Sequence, residues 1–113
     1  MSFDYNNLLV LTDEQRAEFY ARLSNNLTIY VRKIYGHEEW TNAEKVERMS
    51  RLNEIQHRVT SAAFGSKRDM KDWKDWLTPG LAETVAHYVG DDKELLFLVE
   101  QAVERTYIRV TQP

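Results

Sequence analysis

The chain has no cysteine, and only four glycines and two prolines in 113 residues. Without a thiol there is no disulfide scaffold, no thiolate zinc site and no cysteine nucleophile. So little glycine and proline excludes a collagenous chain and argues against a disordered one. No stretch approaches the roughly 18 consecutive apolar residues of a membrane span. The opening Met1-Ser2-Phe3-Asp4-Tyr5 lacks the positive region and small-residue cleavage site of a secretory signal, so the expected location is cytoplasmic. An excess of positive charge is missing too. The net charge is −3, which disfavours general nucleic-acid binding by phosphate neutralisation.

Glycine is scarce enough for each residue to be placed. Gly36, Gly65 and Gly90 stand where helices are expected to end, and Gly80 follows Pro79 at a helix start. None is left for a phosphate-cradling loop, and neither GxGxxG nor GxxxxGK[ST] occurs. None of the five serines (Ser2, Ser24, Ser50, Ser61, Ser66) lies in a G-x-S-x-G elbow.

What is present is a clearly punctuated helical pattern. Hydrophobic residues make up 42% and charged residues 29%, the balance of an ordinary globular protein, and the length suits one domain spanning 1–113. Thr12-Asp13-Glu14-Gln15 is a capping box. Phe19, Leu23, Leu27, Tyr30 and Ile34 then recur at helical spacing, which predicts a helix over 13–35. Ser24, Asn25 and Asn26 are weak formers at its middle, which leaves room for a kink or break. Thr41-Asn42-Ala43-Glu44 is a second box, followed by the stripe Met49, Leu52, Ile55, Val59 and Ala63 on a helix over 42–64. A shorter helix follows over 67–77, another over 79–89 behind Thr78-Pro79, and a last one over 92–108 after Asp91-Asp92. The fold class read from this is all-α: a compact bundle of about five helices, two long and three shorter. Leu95-Leu96-Phe97-Leu98-Val99 is apolar nearly all round, which places the last helix at the centre of the bundle or at the seam of a homodimer. Leu8–Leu11 and Tyr107–Val110 are rich in strand formers, and a small terminal β ribbon is the alternative reading of the ends.

Few residues combine into chemistry. Glu54-Ile55-Gln56-His57 has the E-x-x-H spacing of bundle metal sites, which need both side chains projecting inward. On the helical wheel Glu54 points about 160° away from the Leu52–Val59 stripe, so the pair reads as surface. Glu83 and His87 read as a solvated pair. His37, Glu38 and Glu39 form a polar cluster in the loop after the first helix. Its residues are the right types for a divalent cation, but adjacent loop residues rarely converge on one ion.

Charge changes sign along the chain. Lys45 to Asp75 carries eight Lys/Arg and five Asp/Glu, a net of +3, while 1–44 and 76–113 each carry −3. Within this basic middle lie Trp73 and Trp76 with Lys67, Arg68, Lys71 and Lys74, and Trp40 lies just before it. Tryptophan and arginine are favoured interface anchors. On the 42–64 helix a second narrow stripe, Val46, Asn53, His57 and Phe64, marks a further contact. Another helix of the same chain is the first expectation for it, and a partner protein the second. The helices around Thr78-Pro79-Gly80 mimic a helix-turn-helix, yet Leu81–Val89 holds no Lys or Arg to read bases or phosphates.

The function expected from these residues is a small non-enzymatic interaction or regulatory module, such as an inhibitor, an immunity-type protein, an adaptor or an assembly subunit. It would bind another protein through Trp40, His57, Lys67, Arg68, Lys71, Trp73, Lys74 and Trp76, with no metal or other cofactor. The alternatives are a metal- or cofactor-binding bundle using Glu54 and His57, and a nucleic-acid-associated helical protein.

Overall fold

Two threonines start the two long helices. The structure, a computed structural model, describes residues 3–65 and 80–112. The Thr12 hydroxyl accepts from the Gln15 N–H at 3.1 Å, and the Gln15 side chain accepts from the Thr12 N–H at 2.9 Å. This satisfies donors that a helix end otherwise leaves orphaned. Helix α1 (Asp13–Tyr35) runs from this cap to Gly36. Thr41 and Glu44 repeat the device at 3.2 and 2.9 Å at the start of α2 (Asn42–Gly65). Two shorter helices complete the described bundle, α3 (Leu81–Val89) and α4 (Lys93–Thr111). A 3₁₀ helix, Tyr5–Val10, precedes α1. The fold is thus an all-α bundle, with no strand among the described residues. No helix among those residues is long and apolar enough to cross a membrane. The expected helix over 67–77 lies outside the described residues.

Hydrogen bonds between helices fix their directions. Ser24 meets Thr60, so α1 and α2 form an antiparallel hairpin across the 36–41 turn. Asn26 donates to the Thr106 hydroxyl at 2.8 Å and Tyr30 to Gln101 at 3.3 Å. The two bonds advance along α1 while receding along α4, so this pair is antiparallel as well. Consequently α2 and α4 begin at the same end of the bundle.

Helix α1 runs unbroken through its weak formers, over the range read from the sequence. Ser24 is tied to Thr60 and Gln56 of α2, and Asn26 to Thr106 of α4. The weak formers are cross-links to both neighbours, and tertiary bonding overrides their propensity.

The last helix is not the centre of the bundle. Helix α1 packs against both α2 and α4 and buries Phe19, Tyr20, Leu23, Leu27, Tyr30 and Ile34. Helix α4 buries only one face, through Leu95, Val99, Ala102, Val103, Thr106 and Val110. Phe97 lies about 200° round from Leu95 at 100° per residue, and it is 65% exposed. An apolar run is buried on every side only where neighbours surround it. The terminal ribbon is also replaced by helix. Leu8 and Leu11 are both buried while Leu9 and Val10 are exposed, the i, i+3 pattern of a 3₁₀ turn rather than strand alternation. The burial period of α4 runs on through Val110, so 107–110 stays helical.

The N-terminal segment lies along α4. The Phe3 N–H donates to Glu100 at 2.7 Å, and the Phe3 ring meets Tyr5 and Tyr107 edge-on, with centroids 5.3 and 5.5 Å apart. The Tyr5 hydroxyl is buried and has no hydrogen-bond partner. Burial, and secondarily the Glu100 charge, push its pKa from 10.0 up to about 12. Between those values the unfolded chain releases the proton and the folded chain holds it. Tyr5 therefore leaves stability untouched below pH 10 and lowers it as pH rises toward 12. Tyr5→Phe is expected to be neutral or stabilising by up to about 1 kcal/mol at pH 7, because it deletes an unpaired buried hydroxyl. It should also flatten the alkaline loss. Urea unfolding of both proteins at neutral and alkaline pH checks this, and a clear neutral-pH destabilisation would show that the hydroxyl is bonded after all.

Candidate interaction site at the Trp40–Arg48 junction

The common end of α2 and α4 gathers the ion pairs of Arg48 and the side-chain cap of α4. Arg48, in the second turn of α2, reaches across to the first residues of α4. Its Nε donates to Asp92 Oδ2 at 2.8 Å and its Nη2 to Asp92 Oδ1 at 3.4 Å. Its Nη1 lies 3.5 Å from Glu94 and 3.9 Å from Glu44. Asp92 is at the same time the N-cap of α4, accepting from the Leu95 N–H at 3.1 Å. One carboxylate therefore starts a helix and ties that helix to α2.

The electrostatics follow from this geometry. Burial pushes the Asp92 carboxyl up, but the Arg48 hydrogen bond and the Leu95 N–H outweigh it and hold it below its ordinary value. Arg48 is raised by its bond to Asp92, against the opposing effect of burial. Glu44 is lowered by the Thr41 N–H and hydroxyl. Carboxylates suit this position, because two helix N-termini present partial positive charge here.

Trp40 closes the junction from the 36–41 turn. Its ring stacks on His37 with centroids 3.8 Å apart and planes 9° from parallel. The Arg48 guanidinium carbon lies 4.1 Å from the centroid of the Trp40 ring, a cation–π contact. Beyond Trp40 a cleft of about 360 Å³ opens, lined by His37, Glu39, Trp40, Glu94, Phe97 and Leu98 together with Lys93. Trp40 and Leu98 are half-buried, and Phe97 is exposed. On the α1–α2 face of the hairpin, Tyr35 and Val46 are exposed beside the half-buried Met49.

Of the residues expected to bind a partner, Lys67, Arg68, Lys71, Trp73, Lys74 and Trp76 lie outside the described residues. Trp40 stands in the junction against His37 and the Arg48 guanidinium, with Glu39, Glu94 and Lys93 lining the same cleft. His57 is exposed on α2, as are Val46 and Asn53. Those three members of the second α2 stripe face solvent, not another helix of the chain. Glu54 is exposed as well, so the E-x-x-H pair does not project inward as a bundle metal site requires. Glu83 and His87 are both exposed. Among the described residues no three His, Asp or Glu side chains are grouped to hold a metal ion.

Three residues of the junction escape a reading by spacing. Arg48 and Asp92 are 44 positions apart, and no local pattern pairs them. Asp92 was legible as part of a capping sequence, but not as an ion-pair partner. Phe97 is hidden inside an apolar run whose exposed side only the packing reveals. Comparison with protein-family models, curated proteins and solved structures finds no match for this chain.

Proposed function

We propose that this protein is a non-enzymatic protein–protein interaction or regulatory module. The observation that carries the reading is the Trp40–Phe97 cleft. It joins two aromatic rings and Leu98 on a junction held by a bidentate ion pair. A large aromatic left 65% exposed beside a partly covered tryptophan is the composition of an interface core rather than of ordinary surface. The basic-aromatic stretch with Trp73 and Trp76 is a second contact region in this reading, and its lysines and arginine suit it to the rim of an interface. The chain fits an inhibitor, an immunity-type protein, an adaptor or an assembly subunit, all of which act by presenting a surface.

The test is affinity capture from the source lysate, comparing the wild-type chain with Phe97→Asp and with Trp76→Ala. Thermal unfolding of each variant controls for folding. A stoichiometric protein captured by wild type and lost with Phe97→Asp at unchanged stability is the expected result. The same proteins captured at the same yield by both variants would remove this surface from the reading. A large loss of stability in Trp76→Ala, with capture per folded molecule unchanged, would assign Trp76 to the core.

A further inference from the structure

We infer that the Trp40–Phe97 cleft takes a basic segment of a partner protein, with one apolar side chain seated between Trp40 and Phe97 and flanking Lys or Arg residues on the carboxylates at the rim. This rests on the interaction reading above and adds the chemistry of the partner.

Trp40, Phe97 and Leu98 give the cleft an apolar lining, which suits an apolar anchoring side chain. The rim decides the sign of the partner. Glu39 and Glu94 border the cleft directly, and Glu44 and Asp91 stand on the adjoining surface. All four side chains belong to exposed residues. The cations nearby are largely engaged. Arg48 is sunk to 14% exposure against Asp92, and Arg51 is paired with Glu47. Among the described residues, Lys93 is the lysine that lines the cleft. Even with these pairs counted, six carboxylates (Glu39, Glu44, Glu47, Asp91, Asp92, Glu94) stand against three cations (Arg48, Arg51, Lys93) among the described residues of the cleft and the adjoining surface, so an acidic segment would meet like charge. The positive end of the α4 dipole does not reverse this, because Asp92 already caps that terminus. Complementary rim charge governs specificity and association rate.

The test uses the full-length chain and three dye-labelled peptides of equal length, read by fluorescence anisotropy at low salt. One peptide carries a leucine flanked on both sides by Lys and Arg. The second replaces that leucine with serine, and the third replaces the basic residues with glutamate. The first is expected to bind, with affinity falling as salt is raised. The serine peptide should be about tenfold weaker, from loss of the apolar anchor, and the acidic peptide should not bind. Phe97→Ser should reduce binding of the first peptide to the level of the second. Glu39→Gln with Glu94→Gln should weaken it by about tenfold, since each exposed charge contributes a factor of a few. These side chains are exposed, so the variants retain the fold.

Equal binding of the acidic peptide, or basic-peptide binding unaffected by Phe97→Ser, would overturn the inference. So would the absence of binding by all three. If no peptide binds while Phe97→Asp still loses a captured protein, the interaction reading stands and the basic partner is wrong. If capture is unaffected by Phe97→Asp although the basic peptide binds at the cleft, the inference stands for the site and the reading of this surface as the captured protein's interface fails.

Discussion

Replacing Arg48 with alanine is expected to cost about 3 kcal/mol, near the lower end of the range for breaking a largely buried ion pair from one side. The reason is what remains behind. Arg48 and Asp92 side chains are only 14% and 16% exposed. Removing the guanidinium leaves the Asp92 carboxylate with a single backbone donor in a desolvated position. It also takes the cation from the Trp40 ring and the counter-charge from Glu44 and Glu94. For a domain of this size the melting temperature should fall by very roughly 10 °C, at about 4 °C per kcal/mol. Asp92→Asn should cost less, because the amide oxygen still caps α4. The double variant should cost less than the sum of the two, since each single change already disrupts the same pair. Acid carries the same signature. The folded-state pKa of Asp92 lies below its ordinary 3.8, so its contribution is present above that value and is lost as pH falls through the folded pKa. The exposed Glu44, also lowered, acts in the same direction. Urea unfolding of wild type and Arg48→Ala from neutral pH downward measures both effects. The two stabilities should converge below about pH 4, where the unfolded carboxylates begin to protonate. A constant difference at every pH would mean that Arg48 acts through packing on Trp40 alone.

The features legible in the sequence were those encoded locally. The capping boxes at Thr12 and Thr41 placed two helix starts, because a cap needs side chains only three residues apart. The stripe Leu52, Ile55 and Val59 set the phase of α2, and with it the outward aim of Glu54. Gly90 marked the end of α3, where the backbone is left-handed at φ 62° and glycine is the residue with no steric cost. What was not legible depends on which neighbour arrives. Ser24 and Asn26 looked like helix breakers, since propensity cannot anticipate partners on two other helices. Leu95–Val99 looked like a core in itself, since hydropathy counts apolar residues without knowing how many sides are covered. The candidate site was legible in one residue, Trp40, which packs against the Arg48 guanidinium. Its ion pair with the start of α4 is a contact between distant segments, and a periodic pattern holds no trace of it.

The exchange of centre between α1 and α4 makes the second large prediction. Leu27 on α1 is completely buried, and so are Leu23 and Ile34 on the same helix. Helix α1 faces α2 and α4 at once, so a cavity beneath Leu27 has packed side chains around it and little freedom to collapse. Leu27→Ala is therefore expected to cost about 3–4 kcal/mol, combining lost transfer energy with an unfilled void. Phe97→Ala removes a larger side chain from α4 but should change stability by less than about 0.5 kcal/mol, as surface substitutions do. Denaturant midpoints of the two variants at equal slope measure the contrast. If α4 were the buried centre or the seam of an obligate dimer, the order would invert, with Phe97→Ala the costlier change and its effect dependent on protein concentration. The expected order also separates the two roles an aromatic side chain can have in this protein. Phe19 and Tyr20 are consumed by folding, at 0% and 1% exposure. Phe97 contributes little to folding and stays exposed near the start of α4, where its apolar surface gains by burial only when another molecule covers it.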